Sequence, residues 1–549
     1  MEMMETKKGT KLGGRPVWFG DDGTRKGTRS DLSNLKNLKY LSMDYTNLNI
    51  SILQNIGLLT SLESLSLRDC SLEGILPDQG GLCELKHLQE LDLYNNNLRG
   101  SLPWCFGNLT SLQVLHLSSN QFSGNISPLR ALTSIQELSI SSNQFSGNIS
   151  PLRALTSIQE LSISSNQFSG NISPLRALTS IQDLYLSYNH FQIPISLEPF
   201  FNHSKLEYFY GYNNQIYADT AESHFSITPK FQLNSLVLSG CRDCVTFPKF
   251  LYHQHDLSYV YLSHNNLTGE FPNWLLDNNT NLDELVLVNN SLTGPLHLPT
   301  HYHQNLTSLD ISNNFFHGNI PKQVGAYLPM LSTLNISIND FDGRIPSSIG
   351  DMKELSFLDL SYNKLSGEIL EHLAKSCINL RYLVLSNNSL EENNISGDLP
   401  SRFSPPKIQQ VHLSKNKLEG QLKDAFFNSS SLVTLDLGYN HFNGGIPNWI
   451  GRLSNLTYLI LSHNNLEGEV PHLVCNLKRL RLIDLSHNNF SGKIPHCLDM
   501  TALHGDFSTA TEPMRNEEIV RFKKNNTTYY YQKSVAPVRK EENVEFTTK

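Results

Sequence analysis

The sequence predicts an α/β solenoid, a stack of short coils whose strands form one parallel β-sheet along a concave face. Three observations point there. A unit of the form L-x-x-L-x-L-x-x-N-x-L-x-G-x-I-P returns about every 24 residues, with its clearest copy at Leu456 to Pro471. An asparagine recurs at one place in sixteen of these units. The chain has 549 residues, more than one compact core usually holds, and a repeat array removes the need for domain boundaries.

Each position of the unit has a physical reason. The L-x-L piece is a short parallel strand with inward leucines. Successive strands stack about 4.8 Å apart, so neighbouring coils bury each other's apolar residues, and one coil alone would not stay folded. The asparagine falls where the chain turns off the strand, and stacked amides there satisfy backbone groups that would otherwise be buried unpaired. This ladder runs through Asn96, Asn120, Asn143, Asn166, Asn189, Asn214, Asn265, Asn290, Asn314, Asn339, Asn363, Asn388, Asn416, Asn440, Asn464 and Asn488. Thr46, Cys70 and Cys241 replace it, and the two cysteines fit the pocket as small buried side chains. The glycine and proline that follow set a sharp turn and an extended convex side.

We count roughly 19 units between Leu38 and Pro495. The expected organisation is a disordered or aberrant segment over 1–31, the solenoid over 32–497 and a non-repeat segment over 498–549, with mixed charge and Tyr529-Tyr530-Tyr531. Gln121 to Asn143 recurs unchanged as Gln144 to Asn166 and again, little changed, as Gln167 to Asn189, which implies recent duplication. Between Asn388 and Asn416 the spacing is longer, as from lost coils or an inserted loop.

Composition narrows the function. Charged residues are only 17%, and a net charge of -8 without dense Lys and Arg blocks argues against nucleic acid as a partner. No Walker loop, G-x-S-x-G elbow, H-E-x-x-H helix or protein-kinase motif set occurs, so binding rather than catalysis is expected. His253-x-His255-Asp256 and His301-x-His303 lack a third, well-placed ligand, and neither metal nor cofactor is expected.

N-x-S/T sequons stand at Asn49, Asn108, Asn125, Asn148, Asn171, Asn202, Asn266, Asn278, Asn289, Asn305, Asn335, Asn387, Asn394, Asn428, Asn455, Asn489, Asn525 and Asn526, which fits passage through the secretory pathway. Yet Met1 to Asn34 holds no apolar leader, and no stretch of about 18 to 20 uncharged apolar residues occurs, so the expectation is of incomplete ends. Cys475 and Cys497 lie almost one coil apart, as do Cys83 and Cys105; each pair is either bridged between coils or free and buried.

The copies Leu267-Thr-Gly269, Phe341-Asp-Gly343-Arg-Ile345-Pro346 and Leu466-Glu-Gly468-Glu-Val470-Pro471 resemble the plant-specific class of leucine-rich repeats. Phe200-Phe-Asn-His-Ser-Lys-Leu206, Phe247-Pro-Lys-Phe-Leu-Tyr-His253 and Pro272-Asn-Trp-Leu-Leu276 further resemble plant receptor-like proteins, which are membrane-anchored ectodomains without a kinase. The resemblance covers nearly everything from Asp31 onward. It implies a plant-type superhelix at the outer face of the plasma membrane, an extracellular peptide, protein or glycan ligand, and a partner receptor kinase as co-receptor, in defence or development. The 498–549 segment is similar to the non-repeat island of such receptors. The alternatives are a soluble leucine-rich-repeat inhibitor or decoy, or a truncated, non-functional receptor copy. Because the chain enters the array at Leu32 without the family's cysteine-bearing cap, the first coil's edge is expected to be exposed.

Residues beside the strand leucines face the concave surface, so ligand contact is expected there. Tyr185, Tyr188, Tyr208, Tyr210, Tyr212, Tyr259 and Tyr261, with His264 nearby, form the densest candidate patch. Exposed tyrosines offer large, rigid, amphipathic contact area; the bland reading is ordinary strand propensity.

Overall fold

The computed structural model describes residues 35–218, 228–241, 243–369, 371–388, 395–400, 403, 405–498, 518–524 and 527–533. The 1–31 segment, most of 498–549 and the sequons at Asn394, Asn525 and Asn526 lie outside them. The chain divides into two compact units, Met1–Asp342 and Gly343–Lys549.

In the first unit thirteen three-residue strands, from Tyr40–Ser42 to Thr333–Asn335, pair in parallel, each with the next. The register is one to one. Leu41 sits beside Leu65, Leu65 beside Leu91, and so on to Leu309 beside Leu334. Every one of these middle residues is buried, because on a period-2 strand the residue between two outward side chains points into the coil. The second unit repeats the pattern with six strands, from Phe357–Asp359 to Leu482–Asp484. It also holds an antiparallel pair, Glu518–Lys524 with Thr527–Lys533.

The turn off each strand is made the same way throughout. The residue before every ladder position has a positive φ, from Tyr45 at 60° through Asn95 at 52° to His487 at 53°. A left-handed residue there swings the next side chain inward, which is how one amide per coil reaches the core edge. Asn96 shows what it does on arrival. Its Oδ1 accepts from the N–H of Cys70 at 3.0 Å and of Leu72 at 2.9 Å, and its Nδ2 donates to the carbonyls of Leu67 at 2.8 Å and Leu93 at 3.1 Å. One buried side chain thus satisfies backbone groups of two coils that no water reaches. Asn120, Asn290, Asn314 and Asn440 repeat the arrangement.

Where the ladder residue differs, the substitutes part ways. Cys70 fills the pocket as expected, its thiol donating to the carbonyls of Met43 at 3.0 Å and Arg68 at 3.3 Å as the amide nitrogen would. Cys241 is buried as expected, at 1% exposed, but its sulfur is bonded to Cys244, with Cα atoms 5.6 Å apart. Its backbone N–H still donates to Asn265 Oδ1. Cys83–Cys105 and Cys475–Cys497 are both bridged, at Cα separations of 5.4 and 5.5 Å; the partners lie on neighbouring convex turns, and Cys70 and Cys377 remain buried thiols.

Past the ladder, a second set of parallel strands forms beside the first, for example Gln121–Gly124, Gln144–Gly147 and Gln167–Asn171. In the duplicated coils this register stacks Phe122, Phe145, Phe168 and Phe191 into a column, with centroids 6.0, 6.3 and 6.1 Å apart and planes within 12° of parallel. All four are fully buried. Offset stacking adds about 1 kcal/mol per pair to the gain from burying the rings. Exact duplication therefore extends the core without a new packing problem. The return side carries 3-10 turns such as Ser127–Ala131, Ser150–Ala154 and Ser173–Ala177 and short α-helices such as Asn273–Asn278, all brief because the chain must return to the next strand.

Candidate ligand-binding face

The sheet of the first unit presents two side chains per strand outward, away from the leucines inside the coil. From Asp183–Tyr185 through Tyr208–Tyr210 and Ser235–Val237 to Tyr259–Tyr261, parallel pairing places outward residues in rows across the coils. Tyr185 consequently stacks on Tyr210 with centroids 5.0 Å apart, and in the turn column Tyr188 meets Tyr212 at 5.4 Å.

This packing corrects the expected exposure. Tyr210, Tyr259 and Tyr261 are 5%, 7% and 8% exposed, and only Tyr185, Tyr188, Tyr208, Tyr212 and His264 are half-buried. Tyr185 and Tyr210, one strand apart, cover each other, and Tyr259 and Tyr261 are flanked in register by Ser235, Val237, Glu284 and Val286, which a reading of single coils cannot foresee. The phenols are also engaged. Tyr259 donates to Asp283 Oδ2 at 3.2 Å and Tyr261 to a Glu284 carboxylate oxygen. Burial pushes the Tyr210 and Tyr259 hydroxyls well above the usual tyrosine range, with the Asp283 carboxylate adding to the effect at Tyr259. They stay neutral hydrogen-bonding groups at any physiological pH. His264, at φ 59°, accepts from Asn289 Nδ2 through its Nδ1.

A second constellation on the same face was not foreseen. His116, on the strand Val114–His116, lies between Asp92 one coil before and Glu137 one coil after, with Nδ1 3.4 Å from Asp92 Oδ2 and Nε2 2.7 Å from Glu137 Oε1. Arg68 Nε stands 3.3 Å from the other side of this chain, at Asp92 Oδ2, with its guanidinium 5.1 Å from the Tyr94 ring centre. Burial alone would lower the imidazole, but its hydrogen bonds to Asp92 and Glu137 outweigh that and push it up to about 10. His116 is therefore a fixed cation. The 24-residue offset that sets Asp92 in register with His116 was the available signal, whereas Glu137, 21 residues on, is in register with Val114 and reaches His116 diagonally.

The other singled-out histidines are dispersed. His303 is buried, with Nε2 3.1 Å from the Asn279 carbonyl and Nδ1 accepting from Leu306 N–H, so it serves the coil turn, while His253, His255 and His301 are exposed. Among the described residues no group of three or more His, Cys, Asp or Glu could hold a metal ion. Of the described sequon asparagines, Asn278, Asn335, Asn387 and Asn455 are half-buried and the rest exposed. Asn171 and Asn489 lie on second strands, Gln167–Asn171 and Asn489–Ser491, while Asn335 lies on the main-sheet strand Thr333–Asn335, where its Nδ2 donates to Asp310.

Short parallel strands, an asparagine ladder and glycine-bearing second strands together define a leucine-rich-repeat solenoid. Family models agree: that for a leucine-rich repeat region matches residues 22–193, and two described as leucine rich repeat match 304–365 and 406–466, and 256–278 and 479–500. Within that class, the chain is 36% identical over 401 residues to Cuscuta receptor 1 of Solanum lycopersicum, across 73% of this chain and 31% of that protein. Solved structures place it likewise. The ectodomain of the Arabidopsis thaliana membrane receptor kinase GASSHO1/SCHENGEN3, in complex with CASPARIAN STRIP INTEGRITY FACTOR 2, superposes with a TM-score of 0.75 at 28% identity, covering 85% of this chain and 55% of that one. The Arabidopsis receptor kinase HAESA, in complex with the peptide hormone IDA and the co-receptor SERK1, gives a TM-score of 0.70 at 32% identity over 85% and 76%. The chain belongs to the plant leucine-rich-repeat receptor-like proteins, and it spans about a third of the length of Cuscuta receptor 1.

Proposed function

We propose that this chain is the ligand-binding ectodomain portion of a plant cell-surface receptor-like protein, which recognises an extracellular peptide, protein or glycan and acts through a partner receptor kinase in defence or development. The observation that carries the reading is the outward face of the first unit's sheet, where half-buried tyrosines stand in register over a rigid core. Rows of aromatic side chains held by parallel pairing lose little entropy on contact, which suits recognition. The HAESA structure, which shares this fold and holds a peptide hormone, supports a peptide as ligand, and the presence of SERK1 in it supports a co-receptor. The exposed sequons support glycosylation at the extracellular face.

The test uses a phage-displayed library of random dodecapeptides selected on the secreted chain, with a Tyr185→Ser/Tyr208→Ser variant as counter-target. Peptides that bind the parent and lose the variant support the reading. If every enriched peptide binds both proteins equally, the contact lies elsewhere and the assignment of this face is wrong.

A further inference from the structure

The outward side of the first unit's sheet is predominantly acidic at its strand positions, and the cation His116 there is already held between Asp92 and Glu137. Of its 26 outward strand positions, seven carry Asp or Glu and none carries Lys or Arg. The whole chain holds 43 Lys and Arg against 51 Asp and Glu, so overall composition does not explain the bias. Strand propensity does not explain it either, since lysine and the acidic residues are all disfavoured in strands. The bias is therefore a property of the face.

The same face shows how a cation is received. Arg68 reaches over it from the turn beside its strand and rests its guanidinium between the Asp92 carboxylate, at 3.3 Å, and the Tyr94 ring, at 5.1 Å. Ion pairing and cation–π attraction act together in such a sandwich. Beginning three coils beyond Asp92, the strands Glu160–Ser162 to Glu284–Val286 again set carboxylates beside rings, Asp183 in register with Tyr208 and Glu284 with Tyr259, with Tyr185 and Tyr208 half-buried between Glu160 and Glu284. Among the described residues no Lys or Arg occupies an outward strand position there.

We infer that this stretch takes a Lys- or Arg-rich peptide segment, whose cations repeat against carboxylate and tyrosine the contact that Arg68 makes within the chain. The inference rests on the proposed receptor function and narrows its ligand to a basic peptide. Charge complementarity of this kind raises association rate and excludes acidic competitors.

The same dodecapeptide selection tests it, with two further variants. Glu160→Gln/Glu284→Gln removes two charges from the sheet face, and Glu419→Gln/Glu467→Gln removes two from exposed second strands as a control. The expected result is that enriched peptides carry net positive charge, bind the sheet-face variant about tenfold more weakly and bind the control as they bind the parent. Melting curves report folding. Should the sheet-face variant unfold, salt decides on the parent alone, because affinity for basic peptides must fall as ionic strength rises. Neutral or acidic peptides that still lose the tyrosine variant overturn the basic-ligand inference and leave the receptor reading standing. Basic peptides weakened equally by both glutamine variants overturn it as non-specific attraction. Peptides indifferent to the tyrosine variant overturn both.

Discussion

Replacing Asn96 by alanine isolates what one rung of the ladder contributes. The substitution removes the acceptor for the N–H groups of Cys70 and Leu72 and the donor to the carbonyls of Leu67, Leu93 and Tyr94. Asn96 is 7% exposed, so water does not readily replace it. An orphaned buried donor costs about 1 to 3 kcal/mol, and two N–H groups lose their partner together. The carbonyls keep a second lone pair and suffer less. The expected cost is about 3 kcal/mol, confined to the neighbouring coils because each repeat contacts only its neighbours. Hydrogen exchange read by mass spectrometry is the suitable assay, since global unfolding of a repeat array is not a single transition. A loss of that size speeds exchange at Cys70 and Leu72 about a hundredfold, while amides of Ser308–Asp310 in the same unit stay unchanged. Asn96→Asp keeps an acceptor but turns a carboxylate toward three carbonyls. It should destabilise more at pH 7 than at pH 4, where the protonated acid can donate. If exchange at Cys70 and Leu72 stays within threefold of the parent, the ladder does not hold the turn as described.

Three further outcomes follow from particular residues. Ile338 is a β-branched, 48% exposed residue held at φ 53°, so Ile338→Asn should stabilise the protein by about 1 kcal/mol, seen as a higher urea midpoint. His116 has a folded pKa raised to about 10 from a usual value near 6.5. Its ion pairs are therefore at full strength below pH 6.5 and are lost as pH climbs from there through about 10; the stability gap between parent and His116→Gln should shrink over that window, and an unchanging gap would show that the imidazole is not held charged. Removing the bridge that closes 22 residues between Cys83 and Cys105, by Cys83→Ala/Cys105→Ala, should cost about 3 kcal/mol locally, measured as faster hydrogen exchange in the coils it joins.

The sequence by itself determined the coil. A 24-residue period with inward leucines, a ladder asparagine and a following glycine leaves a short-range solution that hardly depends on the rest of the chain, because each repeat needs only its neighbours. That is why strand positions, the Asn96 type of ladder contact and the structural use of Cys70 were all legible in single residues. Identity across the duplicated coils also made the phenylalanine column a consequence of register, although the stacking itself appears only in three dimensions.

What lies between coils was decided by tertiary structure. Cys241 reads as a ladder substitute in its own coil, but the turn that follows brings Cys244 to bonding distance. Tyr210, Tyr259 and Tyr261 read as exposed, yet parallel pairing sets rings and carboxylates of adjacent strands against them and removes most of their surface. His116 reads as one polar residue among many, and only stacking places Asp92 and Glu137 on either side of it. Periodicity states which way a side chain points. Burial and charge depend on what the neighbouring coil points beside it, and that distance is set by the sheet.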